Sequence, residues 1–304
     1  MAKITVIGSI STDFVVETAK LPAMGETVEG KSFQTSFGGK GANQAVACAR
    51  LGAETVMLGA VGQDVFGQQL LANLRANDIH TDNVERVTQS SGSAFITLFD
   101  SDNAIVYVAG ANGLYGPDSV DKVMDQSAVF QTSDLVLIQN ETPADTVRHV
   151  IERCSQLNIP LLLNPAPARE LAPAYLDKVT FLTPNETEFA VLFPDETMDS
   201  VLKRYPNKLI ITLGSKGAMY YDGESIQTVP PVQIDQVVDT TGAGDTFNGA
   251  FAYAFSSGLP IRDSIRFGNI AAGLSIQKAG AQTGAPTLRQ MKEHESFEKE
   301  WDFK

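Results

Sequence analysis

Cysteine, histidine and basic residues are all scarce in this chain. Two cysteines occur in 304 residues, Cys48 and Cys154, far apart and outside any C-x-x-C pattern. Neither a disulfide framework nor a zinc site is indicated, and a reducing compartment fits. The three histidines, His80, His149 and His294, have no partner at ligand spacing, so they read as surface or packing residues. Lysine and arginine number 23 against 36 acidic residues, a net charge of −13, and such a surface repels nucleic acid and anionic membranes. No apolar run approaches the roughly 18 residues of a membrane span, and Met1-Ala2-Lys3-Ile4-Thr5-Val6 shows no signal-peptide architecture. The expectation is a cytoplasmic globular protein with neither a nucleic-acid nor a membrane partner. Hydrophobic residues make up 43%, enough for a large core.

Short, continuously apolar runs alternate with helical patterns. Residues 4–7, 55–58, 135–138, 161–163 and 209–213 read as strands, and 41–51, 64–75 and 144–157 as helices. Repeated βα units imply a parallel sheet covered by helices on both faces. Residues 93–99 and 104–109 are β-rich and separated by Asp100-Ser101-Asp102-Asn103, a hairpin turn signal. Strand-like pieces at 12–17 and 28–37 join them in a small, mostly antiparallel sheet built from about residues 12–38 and 92–110. Such a sheet has an unburied face and edges, so it is expected to act as a lid over a cleft and as the contact of a homodimer.

The most informative segment is Val237-Val238-Asp239-Thr240-Thr241-Gly242-Ala243-Gly244-Asp245-Thr246-Phe247-Asn248-Gly249-Ala250-Phe251. Phe247, Ala250, Phe251, Ala254 and Phe255 fall at helical spacing, so the Gly-Ala-Gly-Asp turn stands at a helix N-terminus. Unpaired N–H groups and the positive end of the helix dipole make that turn a phosphate cradle. Side chains at Gly242 or Gly244 would stand between donors and anion. A carboxylate beside such a cradle, Asp245, makes sense as a base for a hydroxyl attacking the phosphate; the turn alone leaves open that it only caps the helix. There is no G-x-x-x-x-G-K-[ST], and G-x-G-x-x-G fails because its last position is Phe247, so a P-loop ATPase and a Rossmann dehydrogenase are disfavoured. Phe37-Gly38-Gly39-Lys40-Gly41-Ala42-Asn43-Gln44-Ala45 also leads into a helix, and Asn43 offers donors and an acceptor to sugar hydroxyls. Thr212-Leu213-Gly214-Ser215-Lys216-Gly217 follows a strand and is suited to wrap a nucleotide.

With Gly8-Ser9-Ile10-Ser11-Thr12-Asp13, Asn164-Pro165-Ala166-Pro167-Ala168 and Thr183-Pro184-Asn185-Glu186-Thr187-Glu188, these segments give six motifs in one order. From Val6 to about Pro286 the chain resembles the PfkB family of carbohydrate kinases; Gly280-Ala281-Gln282 and the Asn-Pro-Ala-Pro-Ala stretch favour its ribokinase branch. The resemblance implies one ribokinase-like kinase domain over residues 1–304, a three-layer α/β/α body with a mostly parallel sheet and the small β-sheet lid. It implies transfer of the γ-phosphoryl group of ATP to the 5-hydroxyl of D-ribose. Asp245 matches the catalytic base, and Gly242, Ala243 and Gly244 the anion hole. Ser11, Thr12, Asp13, Gly39, Lys40, Gly41, Ala42, Asn43 and Glu141, with Asp245, match the sugar site. Asn185, Thr212, Leu213, Gly214, Ser215, Lys216, Gly217 and Asn269, with Gly244 and Asp245, match the nucleotide site. Asn185 and Glu188 match a Mg²⁺ site working through water. Asp239, Thr241, Ser275, Lys278, Gly280 and Gly284 match a K⁺ site made mostly of backbone carbonyls. Four departures stand out. Ser11 stands where many ribokinases carry Asn, Gly242 where Ala is common, and Asn269 where His is frequent, while residues 193–208 form a shorter stretch, so a helix there is expected to be truncated or missing. Alternatives are a family kinase acting on deoxyribose, fructose or a nucleoside, and a non-catalytic sugar-binding protein on the same fold.

Overall fold

The computed structural model describes residues 1–99 and 102–303. Its main sheet is parallel throughout, in the order Phe181–Leu182, Leu161–Asn164, Leu135–Gln139, Lys3–Ile7, Glu54–Gly62, with Ile79–His80 and Val84–Val87 both beside Glu54–Gly62. The central strands are short and apolar because both faces are covered. Leu135 and Leu137 pack into one core cluster, while Val136 and Ile138 pack into the other, the period-two alternation of a strand buried on both sides. Each such side chain contributes about 1.5–3 kcal/mol by leaving water.

Helices Lys40–Arg50, Ala243–Ser256 and Ile261–Ser275 cover one face; Pro117–Gln126, Ala144–Leu157, Glu186–Leu192 and Met198–Arg204 cover the other. This is the three-layer α/β/α body expected from the sequence. Gly249 lets the first two of these helices nearly touch: a Cβ there would stand 2.6 Å from Ala47 Cβ and 2.8 Å from the Gln44 carbonyl oxygen. That approach sets the Gln44 end of one helix against the Asp245 end of the other. Between residues 193 and 208, where a helix was expected to be truncated or missing, one helix is present, Met198–Arg204. The segment expected as one strand at 209–213 is Ile210–Thr212, and it opens an antiparallel three-stranded sheet with Ala218–Tyr221 and Ile226–Val229. These two strands and Phe181–Leu182 lack a long apolar run and were not expected.

The lid is a four-stranded sheet in the order Gly30–Gly38, Ser11–Thr18, Gly92–Phe99, Asp102–Val108. Its outer pairs are antiparallel and its central pair, Ser11–Thr18 with Gly92–Phe99, is parallel, so the sheet is mostly antiparallel, as expected, with one parallel pair at its centre. The tip of the expected hairpin, Asp100 and Ser101, lies outside the described residues. Among the described residues no helix is long and apolar enough to cross a membrane.

Candidate active site

The site lies at the carboxyl ends of the parallel strands, where an open α/β sheet leaves a crevice. Ser9 to Asp13 follow Lys3–Ile7, Glu141 follows Leu135–Gln139, and Asn185 follows Phe181–Leu182. Asn112 fastens the first turn by mimicking a strand: its Oδ1 accepts Ile10 N at 2.9 Å and its Nδ2 donates to Ile10 O at 3.0 Å. Glu141 Oε2 accepts the Lys40 backbone N–H at 2.9 Å and the Ser9 hydroxyl, so three segments meet on one carboxylate. Asp13 lies near it. Burial, then the Glu141 charge, push the Asp13 carboxyl up to about 6, against the Ser11 hydroxyl, which lowers it. Thr12, one residue earlier on the strand, faces the other side of the lid. Ala42 is buried in the core, so neither side chain is brought to the sugar site; only their backbones are available to it.

Asp245 is buried in the first turn of Ala243–Ser256. It does not cap that helix; the N-cap is Gly242. Its carboxylate instead accepts Asn43 Nδ2 and Gln44 Nε2, each at 2.9 Å. Asn43 Oδ1 already accepts Gln282 Nε2 at 3.1 Å, so Asn43 offers a sugar its remaining N–H rather than the donors and acceptor expected. The Lys40 ammonium sits in the field of Asp245, Glu141 and Glu188, which raises its pKa against the opposing effect of burial. One cation thus faces three carboxylates.

The two glycines of the cradle differ. Gly244 opens on free space, and a Cβ there would meet nothing within 4 Å. Gly242 has φ 77°, and its Cβ would strike Ala281 at 2.6 Å. Its smallness serves the left-handed turn and the Ala281 contact, not anion access, which corrects the sequence argument. Asn185 and Glu188 form a capping box: Asn185 Oδ1 accepts Glu188 N at 2.8 Å and Glu188 Oε2 accepts Asn185 N at 2.9 Å. They are therefore not two free side chains on one helical face. Glu188 Oε1 remains for other work, and burial raises the Glu188 carboxyl. A hard cation that takes oxygen ligands and keeps its waters, as Mg²⁺ does, fits that donor set.

Thr212 ends its strand and Gly214–Lys216 forms a single exposed turn, with Leu213 N donating to Gly217 O at 2.8 Å. Ser215 is exposed there. Asn269 is buried, and its amide donates to the Val229 and Pro230 carbonyls at 3.1 and 2.9 Å; it holds that segment rather than presenting its N–H groups to a ligand. The segments carrying Asp239, Thr241, Ser275, Lys278, Gly280 and Gly284 do come together. Asp239 accepts Thr241 N at 2.9 Å and Gly280 N at 2.8 Å. Burial alone would raise this carboxyl, yet the Gly280 N–H, the Thr241 hydroxyl and the Thr241 N–H together hold it below the usual carboxylate value. The Ser275 carbonyl lies where a Gly284 Cβ would project, and the Lys278 side chain is exposed. The Asp239 carboxylate and the Ser275 carbonyl are oxygen donors on these loops, the ligand type a monovalent cation takes. Sequence reading missed Ser9, Gln44, Asn112, Gln139 and Gln282; Ser9, Gln44 and Gln282 lay inside segments it had singled out.

Residues 1–288 match the family described as pfkB family carbohydrate kinase, and the chain belongs to that family. It is 49% identical over 294 residues to the ribokinase of Bacillus subtilis (strain 168), covering 96% of this chain and 99% of that one. It is 47% identical over 293 residues to the ribokinase of Lactococcus lactis subsp. lactis (strain IL1403), covering 96% of each. The solved structure of Arabidopsis thaliana ribokinase complexed with ribose and ATP superposes with a TM-score of 0.87 at 34% identity, over 96% of this chain and 98% of that one.

Proposed function

We propose that the chain is an ATP-dependent ribokinase, transferring the γ-phosphoryl group of ATP to the 5-hydroxyl of D-ribose to give ribose 5-phosphate and ADP. The observation that carries it is the placement of the Asp245 carboxylate at a helix N-terminus, beside the open Gly244 and against the Asn43 amide. Asp13, Glu141 and the Gly39–Asn43 turn hold the sugar hydroxyls. Asp245 takes the proton of the 5-hydroxyl, its oxygen attacks the γ-phosphorus, and ADP leaves. The N–H groups of the 242–244 turn, with the helix dipole, meet the charge on the transferring group. The 212–217 turn and the segment held by Asn269 receive the nucleotide. Glu188 and Asn185 would hold Mg²⁺ through water, where the ion supplies positive charge to the phosphates. The 239–241 and 275–284 loops would hold K⁺. Closure of the lid excludes water from the transfer.

Two free, buried cysteines support a reducing, cytoplasmic setting, and the apolar outer face of the lid supports a homodimer. A coupled ADP-release assay across ribose, 2-deoxyribose, fructose and nucleosides, with K⁺ present, tests the substrate. Ribose should give the highest kcat/KM; a preference for another sugar would overturn the assignment.

A further inference from the structure

Neither of the two amides bonded to Asp245 acts alone. Gln44 Nε2 donates to Asp245 Oδ1 at 2.9 Å and to Asn164 Oδ1 at 3.0 Å, while Gln44 Oε1 accepts Gln139 Nε2 at 2.6 Å. On the other side Asn73 Nδ2 donates to Gln282 Oε1 at 2.8 Å, Gln282 Nε2 to Asn43 Oδ1 at 3.1 Å, and Asn43 Nδ2 to Asp245 Oδ2 at 2.9 Å. Apart from the Gln44 bond to Asn164, every link runs the same way, N–H toward the carboxylate and C=O turned back to receive the next amide. Reversing any one amide would set two oxygens face to face.

Gln44 and Gln139 are fully buried. Gln139 Oε1, packed against Gly8, finds no hydrogen-bond partner among the described residues. A buried acceptor left unpaired costs about 1–3 kcal/mol, and pure packing would favour an apolar side chain at that place. The orphaned oxygen is the far end of an arrangement whose near end is Asp245. A carboxyl group's terminal torsion is broad when nothing fixes it, and a misaligned acceptor loses much of what proximity gives.

We propose that Gln44, held in turn by Gln139, is a positioning residue that fixes the Asp245 carboxylate so that a free lone pair faces the attacking hydroxyl. This rests on Asp245 as the base. Gln44 is fully buried and its amide is taken up by Asp245, Asn164 and Gln139, so it acts through the carboxylate.

The test is Gln44→Met, of similar length and without a polar amide, made in the wild-type and Asp245→Asn backgrounds. Turnover, sugar KM and nucleotide-free sugar binding by calorimetry are measured in each. In the wild-type background kcat should fall ~10- to 100-fold while sugar affinity stays within about threefold. In the Asp245→Asn background the same substitution should change residual turnover by less than about twofold, because the group it positions is gone. Should Gln44→Met not fold, Gln139→Met, one bond further back, carries the same comparison with a smaller loss of ~3- to 10-fold. An inactive Asp245→Asn beside a Gln44→Met of normal kcat overturns the positioning role alone. Equal losses in both backgrounds also overturn it, as the sign of a structural role. Near-normal turnover in Asp245→Asn overturns the base itself, and the positioning role with it.

Discussion

Asp13 shows what the site costs its own fold. Burial first, and then Glu141, push its carboxyl up to about 6, so the folded protein favours the protonated form more than the unfolded chain does. A raised folded pKa gives stability that is present below the unfolded value and is lost as pH rises through the folded one. From below about pH 4 to above about pH 6 this single group removes on the order of 3 kcal/mol of stability. Asp13→Asn should therefore be more stable than wild type near about pH 7.5, with the advantage vanishing below about pH 4, as read by urea denaturation at both values. Sugar binding should weaken in the same variant, because an amide accepts fewer hydroxyl hydrogens than a carboxylate. Equal stability of the two proteins near about pH 7.5 would show that Asp13 is not strained in the folded state.

Helices and loops carry the next level. Gly249 closes the distance between Lys40–Arg50 and Ala243–Ser256, and that contact carries Gln44 to Asp245. Gly249→Ala should destabilise the fold by about 1–3 kcal/mol, read as a lower urea midpoint, and should lower kcat because the two helix ends part. Unchanged stability and kcat would mean the helices have slack. The paired loops at 239–241 and 275–284 make a second prediction: replacing K⁺ by Na⁺ should slow turnover severalfold in a steady-state assay, and indifference would remove the cation assignment. Much at this level was legible in the sequence, for local reasons. A buried parallel strand such as Leu135–Gln139 announces itself by a continuous apolar run, and the Gly-Ala-Gly-Asp turn by its composition. What was not legible depends on partners far away in the chain. Gln44 and Asp245 are 201 positions apart, and Gln139 looks like any polar residue at a strand end until its neighbours are known. The capping box of Asn185 and Glu188 was visible as a spacing, yet the same spacing also reads as a pair of ion ligands, and only the hydrogen bonds show that the box forms.

The lid presents two unlike faces. Direct cross-strand partners share a face, and the register aligns Asp13 with Ala94 and Tyr107, and Phe14 with Phe95 and Val106. Asp13 and Tyr107 thus look into the site, while Phe95 and Val106 lie on the reverse, 50% and 65% exposed, with Phe33 at 65%. The register puts Phe33 opposite Val16, on that same reverse face. Exposed aromatic and branched side chains on a sheet whose edge strands are Gly30–Gly38 and Asp102–Val108 call for a cover, and a second copy offers a matching apolar face. The net charge of −13 works against that pairing, since two copies repel, so association should tighten as salt screens the field. Sedimentation at micromolar concentration should show a dimer that persists at high salt, and Phe95→Glu with Val106→Glu should yield a folded monomer. A wild-type chain that sediments as a monomer at every salt concentration would leave the lid as a cover for the sugar alone.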